Sequence, residues 1–310
     1  MSKTRLHAVS RTQGNNRALK EGDISLPDFE MDFEEVPVLV HAFRRMVREM
    51  TYDVCEMALT TYICAKAHGV KFTALPIFLV RGFHHEAIHH HVPAGLTSPA
   101  DLPGKRVGVN RGYTVTTGVW ARSIIQEEFD VDLSSVTWCP SGDEHVAAYQ
   151  GPDNVQPLDG GDLEAAMTSG DLVAAVGAKF DHPEIATMYD DPFAAGVAAF
   201  KDRGLYPINH TVVVRDELLA ENPDVAIQVF DAFTESKNRY VADLKAGGSD
   251  DAEKVHLAVI DALDDPLPYG IEPNRETLER LIGHAVTQKI IPQAVAVEDL
   301  FAKNLLDAVG

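Results

Sequence analysis

The chain has 310 residues, of which 45% are hydrophobic and 24% are charged, and 47 acidic against 27 basic residues give a formal net charge of −20. This length suits two lobes rather than one core, and the composition excludes a disordered or fibrous chain. The acidic excess excludes nucleic acid and anionic lipid as partners, so an anionic ligand needs locally placed cations.

The cysteine content and the hydropathy of the sequence predict where in the cell the protein is located. Cys55, Cys64 and Cys139 form no C-x-x-C pair, and an odd number of cysteines predicts free thiols rather than a disulfide framework or a zinc knuckle. The first residues lack an apolar core, and no stretch of 18 apolar residues occurs. We therefore expect no secretory signal, no membrane span and a cytoplasmic location.

The first third of the chain alternates short apolar strands with amphipathic helices, which is typical of an α/β fold. Val40, Phe43 and Val47 fall on one face of a predicted helix. Strands are predicted at residues 6–10, 30–36, 52–54, 72–80 and 87–92. Helices are predicted near residue 17 and at residues 38–49 and 57–68.

The alternation continues until about residue 214, after which the chain is predicted to be helical. Ser98 is a predicted N-cap and Pro99 a first helical position in a short turn over residues 98–102. Strands are predicted at residues 106–109, 137–139, 172–176 and 206–214. Helices are predicted at residues 117–127, 162–169, 223–240, 252–263, 276–288 and 297–303.

Two segments resemble parts of the type 2 periplasmic-binding-protein fold. Residues 96–109, which contain SPADLPGKRVGV, resemble the start of its second lobe, and GDLVAAVG at residues 170–177 resembles the strand that returns toward its cleft. The resemblance implies an α/β fold with two lobes and a ligand cleft between them. We predict a discontinuous lobe I over residues 1–90 plus 210–310 and a lobe II over residues 91–209.

A narrower resemblance covers almost the whole chain. The segments that carry it are YDVCEMALTTY at residues 52–62, RGFHHEAI at 81–88, GLYPINHTVV at 204–213 and DPLPYGIEPNR at 265–275. They are similar to segments of the 4,5-dihydroxyphthalate decarboxylase family, a leaderless branch of the same fold. His84 departs from the arginine expected there, and the NRGYT loop after Val109 departs from a P-E-Y-Q-like loop.

The family resemblance implies a carbon–carbon lyase that decarboxylates a hydroxylated aromatic carboxylate without an organic cofactor. A 4,5-dihydroxyphthalate-like substrate would give a protocatechuate-like product and CO2. The alternative is a cytoplasmic solute-binding or sensor protein for a small anionic ligand, which would use the same cleft without catalysis. A precursor-converting enzyme of the thiamine-pyrimidine type is a third alternative on this fold. The oligomeric state stays open, a homo-oligomer included.

The expected catalytic residues come from the segments that match the family. Glu56 follows a strand and is suited to accept a phenolic proton, and Arg81 offers a two-pronged donor for a carboxylate. His85 is a candidate proton donor, because the imidazole of a histidine in an unstructured peptide titrates near neutrality. His210 matches a family histidine, and its role is left open between catalysis and packing.

Substrate-binding residues are expected on loops after strands and at helix N-termini, where backbone N–H groups are unpaired. Each lobe contributes such a junction, and the second is the loop that opens the helix at residue 117. The candidates are Asn16, Arg17, Thr60, Thr61, His84, Arg111, Tyr113, Thr114, Thr116 and His145.

The histidines between residues 84 and 91 raise the question of a metal. Imidazole suits zinc, iron and copper, but neighbouring histidines on a strand point to opposite faces and cannot all bind one ion. We therefore predict no metal, and a divalent ion at this cluster is the minority hypothesis.

Overall fold

The computed structural model describes residues 3–248 and 253–310. The chain folds into two compact units. Unit 1 comprises Met1–Arg81, Ile208–Glu279 and Val295–Gly310, and unit 2 comprises Gly82–Pro207 and Arg280–Ala294. The α/β class follows the prediction, whereas unit 2 has a second segment that the contiguous lobe II predicted over residues 91–209 did not include.

The described strands and helices are numbered here in chain order. The strands are β1 (Thr4–Val9), β2 (Phe29–Glu34), β3 (Val54–Ala58), β4 (Phe72–Arg81), β5 (Ile88–His91), β6 (Arg106–Val109), β7 (Thr137–Pro140), β8 (Ala174–Val176), β9 (Ile185–Thr187) and β10 (Ile208–Arg215). The helices are α1 (Arg17–Lys20), α2 (Leu39–Glu49), α3 (Leu59–Ala67), α4 (Thr116–Phe129), α5 (Leu163–Thr168), α6 (Pro192–Arg203), α7 (Asp216–Glu221), α8 (Asp224–Lys245), α9 (Lys254–Leu263) and α10 (Arg275–Thr287).

The chain changes units at other residues than we predicted. Strand β5 pairs with β8 and β9, so the chain has entered unit 2 before residue 88 and not after residue 90. Strand β10 returns it to unit 1 from Ile208 rather than residue 210. Residues 280–294 belong to unit 2, because Gln288 bonds to Arg122 and His284 packs on Trp120.

Unit 1 is built on a five-stranded sheet with the order β2-β1-β3-β10-β4. Strand β1 is parallel to β2 and β3, and β10 is antiparallel to both β3 and β4. The C-terminal ends of β1, β3 and β4 therefore lie at one edge of the sheet, where β10 begins. Apolar side chains of α8 and of the segment that follows α9 form a cluster of Tyr240, Val241, Leu244 and Leu267.

Unit 2 is built on a second five-stranded sheet with the order β7-β6-β8-β5-β9. Strand β6 is parallel to both β7 and β8, so the loops that follow these strands meet at one edge. Its core includes a cluster of Cys139, Leu158, Leu163, Met167, Leu172, Ala175 and Ile185.

Several predicted elements differ in detail. The predicted strand at residues 52–54 is displaced to Val54–Ala58, and the predicted helix at 297–303 is a 3-10 turn over Val297–Asp299. Helix α6 was not predicted, although Asp191 caps its first turn and Gly204 ends it at φ 63°. Residue 252, where a helix was predicted to begin, lies outside the described residues. No helix of the described part is long and apolar enough to cross a membrane.

Candidate functional site

Glu56 and His210 meet at the edge of the unit 1 sheet where β3 ends and β10 begins. His210 stands opposite Ala58 in the antiparallel register, and Glu56 lies two residues earlier in β3 on the same face. His210 Nδ1 lies 2.6 Å from Glu56 Oε1. The Glu56 side chain is fully buried, whereas that of His210 is 19% exposed.

The loop after β1 supplies the other contacts of the Glu56 carboxylate. Ser10 Oγ and the Arg11 amide donate to Oε2 at 2.8 and 2.9 Å. Asn16 is itself buried and donates from Nδ2 to Ser10 Oγ at 2.8 Å and to the Arg11 carbonyl at 2.9 Å. Asn16 thus supports the groups that hold Glu56.

These contacts fix the charge of Glu56. Burial raises the pKa of this carboxyl group, but hydrogen bonds with His210, Ser10 and the Arg11 amide lower it by more, and the net pKa is below its ordinary value. Glu56 is therefore an acceptor at neutral pH, and His210 carries a proton on Nδ1. The Nε2 atom of the His210 ring lies outside this contact.

A second pair joins Arg81, at the end of β4, to Asn274. Arg81 is 7% exposed, and its Nη1 donates to Asn274 Oδ1 at 2.7 Å. Asn274 donates in turn to the carbonyls of Pro268 and Gly270 at 2.8 and 2.9 Å. Since Asn274 is a neutral partner, this contact orients the guanidinium without cancelling its charge.

Each pair joins two of the four segments of the family resemblance. Glu56 and His210 come from the first and third of these segments, and Arg81 and Asn274 come from the second and fourth. All four residues belong to unit 1. Unit 1 thus contains an acid–base pair and an oriented cation, each formed by residues that are far apart in the chain.

His85 belongs to a different network in unit 2. It is 1% exposed, and its Nε2 lies 2.9 Å from Glu128 Oε1 on α4. Tyr189 donates to Glu128 Oε2 at 2.7 Å, and Arg203 donates to Oε1. His85 Nδ1 is buried without a hydrogen-bond partner among the described residues.

Glu128 is ionised in this network. Burial raises the pKa of Glu128, but its hydrogen bonds with His85 and Tyr189 and the charges of His85 and Arg203 lower the pKa to about 2. Burial, together with the hydrogen bond to this carboxylate, raises the pKa of Tyr189. His85 therefore donates from Nε2 to this carboxylate.

The predicted anion loop of unit 2 holds a carboxylate of the protein. The amides of Tyr113 and Thr114 donate to Glu144 at 2.5 and 3.2 Å, and Thr114 Oγ1 donates to it at 2.6 Å. The exposed Arg111 adopts a left-handed φ of 65°, and its amide donates to Ser141 Oγ at 2.9 Å. The loops after β6 and β7 are thereby tied together.

The remaining substrate-binding candidates lie at different places. Thr60 and Thr61 are completely buried in the first turn of α3, and Thr116 is buried at the start of α4. Arg17 begins α1 and pairs with Glu21 at 3.4 Å. His84 and His145 are both buried in unit 2.

The histidine cluster does not form a metal centre in this structure. Within residues 3–248 and 253–310, no group of three or more His, Cys, Asp or Glu side chains is arranged to hold a metal ion. His89 packs edge-on against Phe180, and His91 Nε2 lies 3.9 Å from Glu184.

Sequence reasoning missed Ser10, Glu128 and Tyr189. Ser10 is a polar residue directly after an apolar strand, which is a usable signal for a buried partner. Glu128 and Tyr189 gave no such signal, because they lie 43 and 104 positions after His85 and only the fold brings them to it.

Comparison with known proteins gives close agreement along the chain. The 4,5-dihydroxyphthalate decarboxylase of Comamonas testosteroni is 28% identical over 337 aligned positions that cover 99% of both chains. The 4,5-dihydroxyphthalate decarboxylase of Pseudomonas putida is 30% identical over 199 positions, which are 58% of this chain and 74% of that protein. No protein-family model matches the chain.

Solved structures confirm the predicted fold. The periplasmic aliphatic sulphonate binding protein SsuA of Escherichia coli superposes with a TM-score of 0.54 at 13% identity and covers 99% of this chain and 100% of its own. The desulfurization enzyme DSZB gives a TM-score of 0.55 at 14% identity with 98% of both chains covered. On its sequence relatives, and in agreement with this two-lobed fold, the chain belongs to the 4,5-dihydroxyphthalate decarboxylase family.

Proposed function

We propose that this protein catalyses the non-oxidative decarboxylation of a hydroxylated aromatic carboxylate of the 4,5-dihydroxyphthalate type, with CO2 and a protocatechuate-like acid as products. The decarboxylase of Comamonas testosteroni, which aligns with 99% of this chain, supports this substrate class. The observation that carries the proposal is the contact of 2.6 Å between His210 Nδ1 and the buried Glu56 carboxylate, in segments that match the family.

The reaction needs a proton at the carbon that bears the carboxylate. Direct loss of CO2 would leave an aryl carbanion, which is too unstable to form at neutral pH. A hydroxyl para to that carbon can supply an electron pair to the ring as its own proton leaves, and the carbon then accepts a proton. The carbon–carbon bond breaks, CO2 departs, the bonding electrons restore the aromatic ring, and the para oxygen takes back from solvent the proton that it had released to solvent. One proton is consumed for each CO2 released, and the route needs no organic cofactor.

His210 is suited to supply that proton from Nε2. Glu56 accepts a hydrogen bond from Nδ1–H and fixes the orientation of the ring, in the way that a buried carboxylate orients a catalytic histidine. Both Glu56 oxygens already accept hydrogen bonds and the residue is 1% exposed. We therefore give Glu56 the role of orienting His210 rather than the predicted role of base.

Arg81 is suited to bind a carboxylate of the substrate. Asn274 holds one side of the guanidinium and leaves its charge in place, and a guanidinium matches a carboxylate in a two-pronged geometry. The acid role predicted for His85 fits less well, because its Nε2 contacts Glu128 and its Nδ1 is buried.

The decisive experiment follows turnover of 4,5-dihydroxyphthalate in D2O. We expect CO2 release and a product with one deuterium, at the ring position that lost the carboxylate. Phthalate, which lacks the para hydroxyl, should bind as a competitive inhibitor and release no CO2. Tight binding of 4,5-dihydroxyphthalate without CO2 release would reject the decarboxylase and favour the solute-binding alternative.

A further inference from the structure

We infer that Glu144 is a specificity-determining residue, whose carboxylate fills an anion site in unit 2 and closes that site to external anions. The inference rests on the proposed function in one respect, since the excluded anion of interest is an aromatic carboxylate. The site itself is defined by contacts within unit 2.

The site engages both oxygens of the Glu144 carboxylate. The Tyr113 amide donates to Oε1 at 2.5 Å, and the amide and hydroxyl of Thr114 donate to Oε2 at 3.2 and 2.6 Å. A Cβ on Gly112 would lie 2.6 Å from Oε2, so the carboxylate is seated directly against the backbone. Successive backbone N–H groups that converge in this way bind anions in proteins.

A buried cation next to this loop points to the same chemistry. Arg122 is 0% exposed. It donates to the Tyr113 carbonyl at 2.7 Å and to the Gln288 amide oxygen at 2.8 Å, and its guanidinium lies 3.9 Å from the centre of the Tyr113 ring. All of these partners are neutral, and its Nη1 has no hydrogen-bond partner in the part of the chain that the structure describes.

A buried arginine without an ion pair is costly unless an anion compensates its charge. Burial lowers the pKa of Arg122, and Tyr113, Tyr149 and Glu144 act against that effect. Glu144 is the carboxylate among these groups. The three donors thus form a site for an anion, the nearby cation favours one there, and Glu144 supplies it from the loop after β7.

A tethered carboxylate has a large advantage over a free one. Because Glu144 is fixed in the same chain, its effective concentration at the site is on the order of millimolar or more. An external carboxylate at lower concentration does not displace it. The carboxylate of a substrate must therefore bind a cation outside this site, and we propose that this cation is Arg81.

The test uses sulfate as the probe, with calorimetry at constant ionic strength. We expect Glu144→Ala to bind sulfate at least about tenfold more tightly than the wild-type protein. Adding Thr114→Val to Glu144→Ala should remove most of this gain, because it deletes a donor. Asp159→Ala is the matched control, since it removes one exposed negative charge from unit 2 outside this loop.

Glu144→Gln guards against misfolding of the alanine variant, because it keeps the shape of the side chain and removes the charge. At equal ionic strength its melting temperature should rise with sulfate by more than those of the wild-type protein and Asp159→Ala, which sulfate stabilises only in the general way of an excluded salt. If sulfate binds no more tightly to Glu144→Ala and Glu144→Gln than to wild type, the inference is wrong.

A gain of sulfate binding that equals that of Asp159→Ala would also overturn the inference, because it would reflect net charge alone. These readings do not depend on turnover. A protein that fails to release CO2 but gains sulfate binding in Glu144→Ala would reject the proposed function and keep this inference.

Discussion

Arg81 and Asn274 are 193 positions apart in the chain, yet Arg81 Nη1 donates to Asn274 Oδ1 at 2.7 Å. Asn274 is held by two backbone carbonyls of its own motif, so its amide oxygen has one orientation. The guanidinium is therefore positioned before any ligand binds, which reduces the entropy lost when a carboxylate docks.

Substitution of Arg81 should weaken substrate binding in a graded way. Arg81→Ala should raise the Kd for phthalate by more than about tenfold, or roughly 1.4 kcal/mol. Arg81→Lys should give an intermediate Kd, because an ammonium keeps the charge but not the planar fork. Titration calorimetry measures both.

The control for this series is Arg5→Ala, since the Arg5 side chain is 68% exposed and pairs with Asp32 on the surface of the same unit. It should leave the Kd unchanged. An unchanged Kd in Arg81→Ala would remove Arg81 from the binding site.

The sequence predicted the class of the fold well, because its strands and helices depend on local patterns. The apolar run at residues 72–80 became β4, and the face of Phe43 and Val47 became the buried side of α2. The residues at which the chain passes from one lobe to the other were less predictable. Strand β5 belongs to unit 2 because it pairs with β8 and β9, and its own residues do not reveal this pairing.

The candidate site was likewise predicted only in part from the sequence. The family resemblance selected Glu56, Arg81 and His210, and the structure brings Glu56 and His210 into contact. The resemblance did not predict that Glu128 would bond to His85, or that Glu144 would accept hydrogen bonds from the loop at Tyr113 and Thr114. Both contacts link residues at least 30 positions apart, and their charges carry no local pattern.

Glu128 should make stability depend on pH in the acid range. Its pKa is about 2 in the folded protein and near 4.3 in an unfolded chain. Because the pKa of Glu128 is lower in the folded protein, its ionised carboxylate stabilises the fold at pH values above the unfolded pKa. This stabilisation is lost as the pH falls from the unfolded pKa toward the folded pKa. We expect Glu128→Gln to be less stable than wild type at pH 7 by about 2 kcal/mol.

The difference between the two proteins should shrink as the pH falls from about 4.5 to about 2. Urea unfolding at pH 7, 4 and 3 measures it. A constant difference across these pH values would mean that the charge of Glu128 contributes nothing and that the variant loses only packing.

Turnover should survive exhaustive chelation, because the proposed electron flow needs only the para hydroxyl and a proton donor. We expect dialysis against EDTA to change kcat by less than about twofold, which is small against the effect expected of a required group. If chelation abolishes activity and one divalent ion restores it, the histidines between residues 84 and 91 would instead be metal ligands.

His210→Gln should separate chemistry from binding. His210 Nε2 is the proposed proton donor, and removal of a general acid typically costs about 10²–10⁴ in rate. We therefore expect kcat to fall by that factor, while the Kd for phthalate stays within about threefold because Arg81 remains. His85→Gln is the matched variant, since it also removes a histidine held by a buried carboxylate. It should lose stability through its contact with Glu128 and lose less than about tenfold in kcat.

Steady-state kinetics and calorimetry on both variants decide between them. The reverse pattern, with the large loss of kcat in His85→Gln, would assign the proton to His85. A proportionate loss of binding and rate in His210→Gln would make His210 a binding residue.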